Sequence, residues 1–151
     1  HLAMHDYVRQ LNEYYVDHPE LWEEDCDWSG FSWISCDDND NSAIAFFRTG
    51  KDEKDSTVVL CNFTPVVRHS YRIGVPVKGD YVEVFNSDAE AFGGSNVLNE
   101  GVFTAQDVPM HGMDQSIELT LPPLATIYLR LTEDSKHLLE AHESLDEGPK
   151  A

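Results

Sequence analysis

Ala43-Ile44-Ala45-Phe46-Phe47, then Gly50-Lys51-Asp52, then Thr57-Val58-Val59-Leu60-Cys61 is the stretch on which the fold turns. Two short β-branched and aromatic runs are separated by turn-forming residues, which is how paired strands are written. The pattern repeats on both sides. Phe31-Ser32-Trp33-Ile34-Ser35 precedes it, and Tyr71-Arg72-Ile73-Gly74-Val75, Tyr81-Val82-Glu83-Val84-Phe85, Ile117-Glu118-Leu119-Thr120-Leu121 and Thr126-Ile127-Tyr128-Leu129-Arg130-Leu131 follow. Asp37-Asp38-Asn39-Asp40-Asn41, Lys78-Gly79-Asp80, Phe92-Gly93-Gly94-Ser95-Asn96 and Pro122-Pro123 break the runs. Short strands at this spacing predict an all-β sandwich or barrel. Ser87 to Gly112 reads as loop, with one short strand at Val102-Phe103-Thr104.

Ahead of the strands the period is helical. Met4, Val8, Leu11 and Tyr15 form an apolar stripe, widened by Tyr7 and Tyr14, that something must cover. Pro19 interrupts this helix, and a short turn at Glu20-Leu21-Trp22 follows. The expected organisation is therefore a helical segment over 1–24, a β-domain over 25–131 and an acidic tail over 132–151. The tail is read as helical or disordered, and chiefly as solvated.

The chain has 151 residues, 41% of them hydrophobic, which suffices for one domain with a real core. Its 28 acidic and 10 basic residues leave a formal charge of −18. A surface so negative repels phosphate backbones and anionic headgroups, so neither nucleic acid nor a membrane surface is an expected partner. No apolar run approaches the roughly 18 residues of a membrane span. Three cysteines, Cys26, Cys36 and Cys61, make no disulfide framework and fit a reducing cytoplasm.

Candidate sites are sparse. Asp25 to Gly30 matches the first half of a calcium loop, but Cys36 stands where the closing carboxylate belongs. Asp37, Asp38 and Asp40 read as a solvated hairpin loop rather than a catalytic carboxylate pair. His1 and His5 have the spacing of a metal pair without a third ligand, and Cys26, Cys36, Cys61, His69 and His111 match no zinc pattern. Ser95 lacks a nucleophile elbow, and its Gly-rich surroundings read as a loop of special backbone conformations. Asn62-Phe63-Thr64 is a formal glycosylation sequon. No catalytic residue, metal or cofactor is expected. For binding, Trp22, Trp28 and Trp33 are the candidates, since exposed indoles stack on sugar rings. Of these, Trp33 is expected in the core and Trp22 at the helix exit.

The order of longer motifs adds a resemblance. Leu11-Asn12-Glu13-Tyr14-Tyr15, Pro19-Glu20-Leu21-Trp22-Glu23-Glu24-Asp25, Gly30-Phe31-Ser32-Trp33-Ile34 and Asn62-Phe63-Thr64-Pro65-Val66 come first. Tyr71-Arg72-Ile73-Gly74-Val75-Pro76, Asn86-Ser87-Asp88, Phe92-Gly93-Gly94-Ser95-Asn96, His111-Gly112 and Leu119-Thr120-Leu121-Pro122-Pro123-Leu124-Ala125 complete the set. From Leu2 to about Leu131 the chain resembles the C-terminal region of bacterial 1,4-α-glucan (glycogen) branching enzymes, of the α-amylase superfamily.

The resemblance implies an antiparallel β-sandwich of the α-amylase C-terminal type, preceded by the last helix of a catalytic barrel. It implies a glycosyltransferase parent that cuts α-1,4 glucan and rejoins it through an α-1,6 bond in glycogen biosynthesis. The (β/α)8 barrel of that parent chain is the implied partner, with α-glucan as ligand. A barrel of about 250 residues exceeds this chain, so no catalytic residue is carried over and activity is not expected from it alone. A stand-alone glucan-binding module, or the sandwich of another α-amylase-superfamily enzyme, are the alternatives.

Overall fold

Period-two patterning becomes eight strands among the described residues, and every strand pairing among them is antiparallel. The computed structural model describes residues 1–148; the end of the expected 132–151 tail, residues 149–151, lies outside the described residues. Helix α1 (Leu2–Asp17) is followed by 3-10 turns at Pro19–Leu21 and Trp28–Gly30. Then come β1 (Phe31–Asp38), β2 (Ala43–Thr49), β3 (Ser56–Asn62), β4 (Arg68–Gly74) and β5 (Asp80–Asn86). A 3-10 turn (Glu90–Phe92), β6 (Phe103–Thr104), β7 (Ser116–Leu121), β8 (Ala125–Leu131) and α2 (Glu133–Asp146) complete the chain. One sheet has the order β1-β2-β3-β8-β5-β6, and β4-β7 form a second sheet.

Central strand β3 shows why the layers stack as they do. Val58 and Leu60 enter the core with Ile34, Ala45, Ile73, Ile117, Leu121, Ile127 and Leu129, between the two sheets. The alternating Thr57 and Val59 are buried too, because α1 covers the opposite face. Tyr7 packs on Phe85 and Phe92, and Tyr14 on Phe85 and Tyr128. A strand covered on both sides reads as an unbroken apolar run, as Thr57-Val58-Val59-Leu60 does.

Helix α1 packs through a different stripe from the one its pattern suggested. Tyr7, Leu11, Tyr14 and His18 are the inward positions, whereas Met4, Val8, Tyr15 and Val16 remain exposed. The apolar face of the helix is wider than the side that the sandwich covers.

A buried carboxylate ties this layer down. The 3-10 turn at Pro19–Leu21 sets Glu20 at 1% exposure. Thr57 Oγ1 donates to Glu20 Oε1 at 2.7 Å. That spends the only hydroxyl proton of Thr57, so the Tyr14 hydroxyl donates to Thr57 Oγ1 at 2.8 Å. Arg130 of β8 places Nε 2.9 Å from the same Glu20 oxygen. Its N–H is not aimed at that oxygen, so the contact is an ion pair without a hydrogen bond. Burial pushes the Tyr14 phenol well above its ordinary range.

The tail expected to be solvated is helical over Glu133–Asp146. Thr132 caps it by accepting from Ser135 N–H at 3.2 Å, and Glu133 and Asp134 suit the positive end of the helix dipole. Lys136 pairs with Asp55 at 3.0 Å, Ser135 Oγ accepts from Asp80 N–H, and Leu139 packs against the core. Leu138 stays exposed.

The two sheets are also pinned at their edge. The Tyr71 hydroxyl on β4 donates to Asp38 Oδ2 on β1 at 2.6 Å, and Asn41 Nδ2 donates to both Asp38 oxygens at 2.9 Å. Asp38, expected in a loop, is the last residue of β1. Burial pushes its carboxyl up, but the Tyr71 and Asn41 hydrogen bonds outweigh burial and hold it below the usual range.

Two outcomes follow. Arg130→Met leaves the Glu20 charge buried and lowers unfolding free energy by about 3–5 kcal/mol; urea titration of Glu20→Gln/Arg130→Met recovers part of that loss. An unchanged midpoint for the single variant would mean the ion pair contributes nothing. For the edge pin, stability from the depressed Asp38 is complete above its unfolded value of about 3.9 and lost as pH falls through the folded value. Tyr71→Phe therefore raises the Asp38 carboxyl titration seen by NMR and moves acid unfolding to higher pH.

Candidate functional site

Edge strand β1 carries the candidate features at both of its ends. At its start, Phe31 and Trp33 lie two residues apart and so share one face, where Phe46 of β2 joins them. Phe31 and Trp33 meet edge-on at 5.1 Å, Phe31 and Phe46 lie at 5.2 Å, and Trp33 and Phe46 meet edge-on at 5.9 Å. Such cross-strand aromatic pairs fix the rings on the pleat. Trp33 is nonetheless 52% exposed, contrary to its expected place in the core. Trp33 lies opposite Phe46, on the side facing away from the core, so plain alternation turns the next residue, Ile34, inward; the register shifts, between Trp33 and Ser35 and between Ser35 and Asp38, come after it.

Trp28 stands in the 3-10 turn that leads into β1, three residues before Phe31, at 93% exposure. The turn is held by Asp27, which accepts from Ser29 N–H at 3.1 Å. Arg48 donates to the Gly30 carbonyl at 2.9 Å and to Asp25 at 2.7 Å. A Cβ on Gly30 would run into the Glu24 carbonyl, so the loop requires glycine there. Trp22 sits apart at 43% exposure, its indole N–H donating to the Tyr15 carbonyl at 3.0 Å. The arrangement offers flat apolar faces and no reactive group.

At the other end of β1 lies a polar cleft of about 530 Å³ lined by Asp38, Asn41, Arg68, His69, Tyr71 and His111, among others. His111 Nδ1 accepts from Gly74 N–H at 3.2 Å, so in the neutral ring the proton is on Nε2. Burial lowers the His111 pKa, against the opposing pull of Asp38 and Asp37. Arg68 Nε is buried without a hydrogen-bond partner, and its Nη2 makes only a 3.5 Å contact with the Asn41 carbonyl.

The remaining sequence candidates are structural. Asp25 is engaged by Arg48, and Asp27 accepts from the N–H of its own turn. Among the described residues no group of three or more His, Cys, Asp or Glu could hold a metal ion. Ser95 donates its hydroxyl to the buried Asp88 carboxylate, which also accepts from Ser95 N–H and Val97 N–H. The loop around it places Gly93 and Asn96 at positive φ, and a Cβ on Gly94 would strike the Asp88 backbone. Asn62 of the sequon is buried, donating to the Val66 and Pro122 carbonyls, so its amide is not available for glycosylation. All three cysteines are free, and burial pushes the Cys61 thiol up. No helix is long and apolar enough to cross a membrane, among the described residues.

The cleft was missed as a unit in the sequence because its residues come from three separate segments. Tyr71 was visible only as part of a motif, Asp38 as part of a solvated loop, and His69 and His111 as histidines that match no zinc pattern. Phe46 stood out only as a strand residue.

Comparison with known proteins places these features in a family. A 1,4-alpha-glucan branching enzyme GlgB of Halothermothrix orenii is 48% identical over 130 residues, covering 86% of this chain and 21% of that protein. GlgB 1 of Xanthomonas axonopodis pv. citri is 51% identical over 129 residues, 85% of this chain and 18% of its own length. GlgB of Trichodesmium erythraeum is 44% identical over 146 residues, 97% of this chain and 19% of its own. The chain thus spans about a fifth of the length of the curated relatives it matches. The family model described as the alpha amylase C-terminal all-beta domain matches residues 33–132, from the Trp33 face to the cap of α2, and the chain belongs to that family.

Proposed function

We propose that this chain is the C-terminal part of a 1,4-α-glucan branching enzyme, a glycosyltransferase of glycogen biosynthesis that works in the cytoplasm. The observation that carries the reading is identity near one half to branching enzymes over most of this chain, which amounts to about a fifth of theirs. The parent enzyme cuts an α-1,4 glucan and rejoins the fragment in α-1,6 linkage, with the chemistry in a barrel that lies outside these 151 residues. On this reading residues 1–24 belong with the end of that barrel, 25–131 are the sandwich, and 132–151 an acidic appendage.

The partner of the domain is then the barrel. The exposed side of α1, with Met4, Val8 and Val16, is an apolar face that such a neighbour would cover. In the longer protein carrying this chain, Val8→Asp weakens the packing of domain on barrel and lowers branching in an iodine-staining assay. The isolated 151 residues give no branching.

The second role is to hold glucan on the Trp33 face, with Trp28 in the turn that leads into its strand. Stacking uses the apolar side of a neutral sugar ring, so the −18 charge does not oppose it. Trp22 contributes less, since its indole N–H is already engaged. In a heteronuclear NMR titration with maltoheptaose, the Trp33 and Trp28 indole signals shift saturably and alike at low and high salt. Trp33→Ala weakens binding about three- to tenfold, the size of one lost stacking contact. Flat indole signals at millimolar sugar would leave the domain as a brace only.

A further inference from the structure

We propose that the barrel of the parent enzyme docks on one end of the sandwich, taking Phe63, Val66 and Leu124 from two loops that Asn62 ties together. The inference rests on the parent proposed above and adds a second contact surface, separate from the exposed side of α1.

The two loops leave β3 and enter β8, strands that pair at Asn62 and Ala125. Asn62 is buried, and its side-chain amide donates to the Val66 carbonyl at 2.8 Å and to the Pro122 carbonyl at 2.9 Å. Its side-chain oxygen accepts from the Thr64 N–H at 3.0 Å and from the Thr64 hydroxyl at 2.8 Å. Leu124 N–H then donates to the Thr64 carbonyl at 2.8 Å, which joins loop to loop. Backbone fixed in this way loses little entropy when a partner arrives. Phe63, Val66 and Leu124 are nonetheless exposed on it.

Leu124 carries the strongest sign. Its φ is +47°, in the left-handed region where a leucine Cβ is crowded and Asn or Gly sits at lower cost. The sandwich gives little in return, because the side chain is 67% exposed. Strain held at an exposed apolar side chain points to a contact outside these residues that uses it.

Charge narrows the kind of partner. A quarter of the chain is charged, with a net of −18, yet residues 56–67 and 119–129 contain no Asp, Glu, Lys or Arg. Burial accounts for that within β3 and β8. It does not account for the exposed loop residues, where turns ordinarily take polar side chains. An uncharged, apolar surface on fixed backbone suits a lasting contact with another domain rather than a charged ligand.

Position selects the barrel. Tyr7, in the first half of α1, packs on Phe92, whereas Tyr14 further along reaches Thr57 near the start of β3. Phe92 lies in the turn that follows β5, and Ser87 at the end of β5 is bonded to Thr126 in both directions. The first residues of α1 therefore lie toward the end of the sandwich that carries Leu124. On the proposed reading the barrel precedes His1, within the roughly four fifths of the parent that this chain does not span. That bulk meets the sandwich at this end.

The test is hydroxyl-radical footprinting, read by mass spectrometry, on the 151-residue chain and on the longer protein that carries it. Phe63 and Leu124 are expected to oxidise several-fold more slowly in the longer protein. Equal rates in the two overturn the proposal without any variant. Exposed Met4 on α1 keeps the two readings apart. Protection of Met4 alone sinks only the loop surface, and protection of neither sinks packing on the barrel as a whole. Leu124→Asn relieves the left-handed leucine, so the urea midpoint of the 151-residue chain holds or rises. In the longer protein the same variant moves Phe63 oxidation back toward the rate of the short chain. A lowered midpoint in the short chain would make Leu124 a part of the sandwich's own packing and overturn the proposal. Protection that builds with concentration of the short chain alone would assign the loops to a second copy, and protection by maltoheptaose would assign them to sugar. Either result replaces the barrel as occupant and overturns the proposal.

Discussion

The carboxylate of Glu20 holds the helical layer of the structure to two neighbouring central strands of the larger sheet. It is buried at the exit of α1, accepts a hydrogen bond from β3 through Thr57 and lies against the guanidinium of β8 through Arg130. Tyr14 completes the chain of donors from α1 itself. A buried charge is tolerated only when paired and hydrogen-bonded, so these four side chains must arrive together. Arg130 reaches on to Asp55 at 3.6 Å, and Asp55 also takes Lys136 of α2 at 3.0 Å. Through that relay the two terminal helices are coupled to the same strands.

Seen from the strands, the consequence is a sheet covered on both faces at its centre and open at its margins. Edge strand β1 is bent by two register shifts, which disrupts its free edge as a pairing template. The same shifts put Asp38 in register with core-facing Ala43, on the side from which it reaches Tyr71, whereas Trp33 precedes them and faces outward by plain alternation.

The strands were legible because half-burial writes itself as alternation, and the covered centre writes itself as Thr57-Val58-Val59-Leu60. Which side turns inward was not legible: alternation through Phe31-Ser32-Trp33-Ile34 leaves either Trp33 or Ile34 on the core side, and only the pairing of Trp33 with Phe46 decides for Ile34. Glu20 was hidden within Pro19-Glu20-Leu21-Trp22-Glu23-Glu24-Asp25, an acidic stretch that reads as surface, because its partners Thr57 and Arg130 are distant in sequence. The Arg68 cleft was hidden for the same reason, since nothing local to Arg68 says that Asn41 and His111 will flank it. On α1 the apolar residues were visible, but not which of two adjacent stripes the sandwich would cover.

Native-state hydrogen exchange of the 151-residue chain tests most directly whether α1 is an integral layer locked through Glu20. The account predicts that the inner amides of α1, around Leu11 and Tyr14, exchange with the same opening free energy as those of β3 and β8, as one cooperative unit. Exchange of the α1 amides by local fraying, while β3 and β8 stay fully protected, would contradict it. The helix would then be a loosely attached leader, and Glu20 a passenger in its turn.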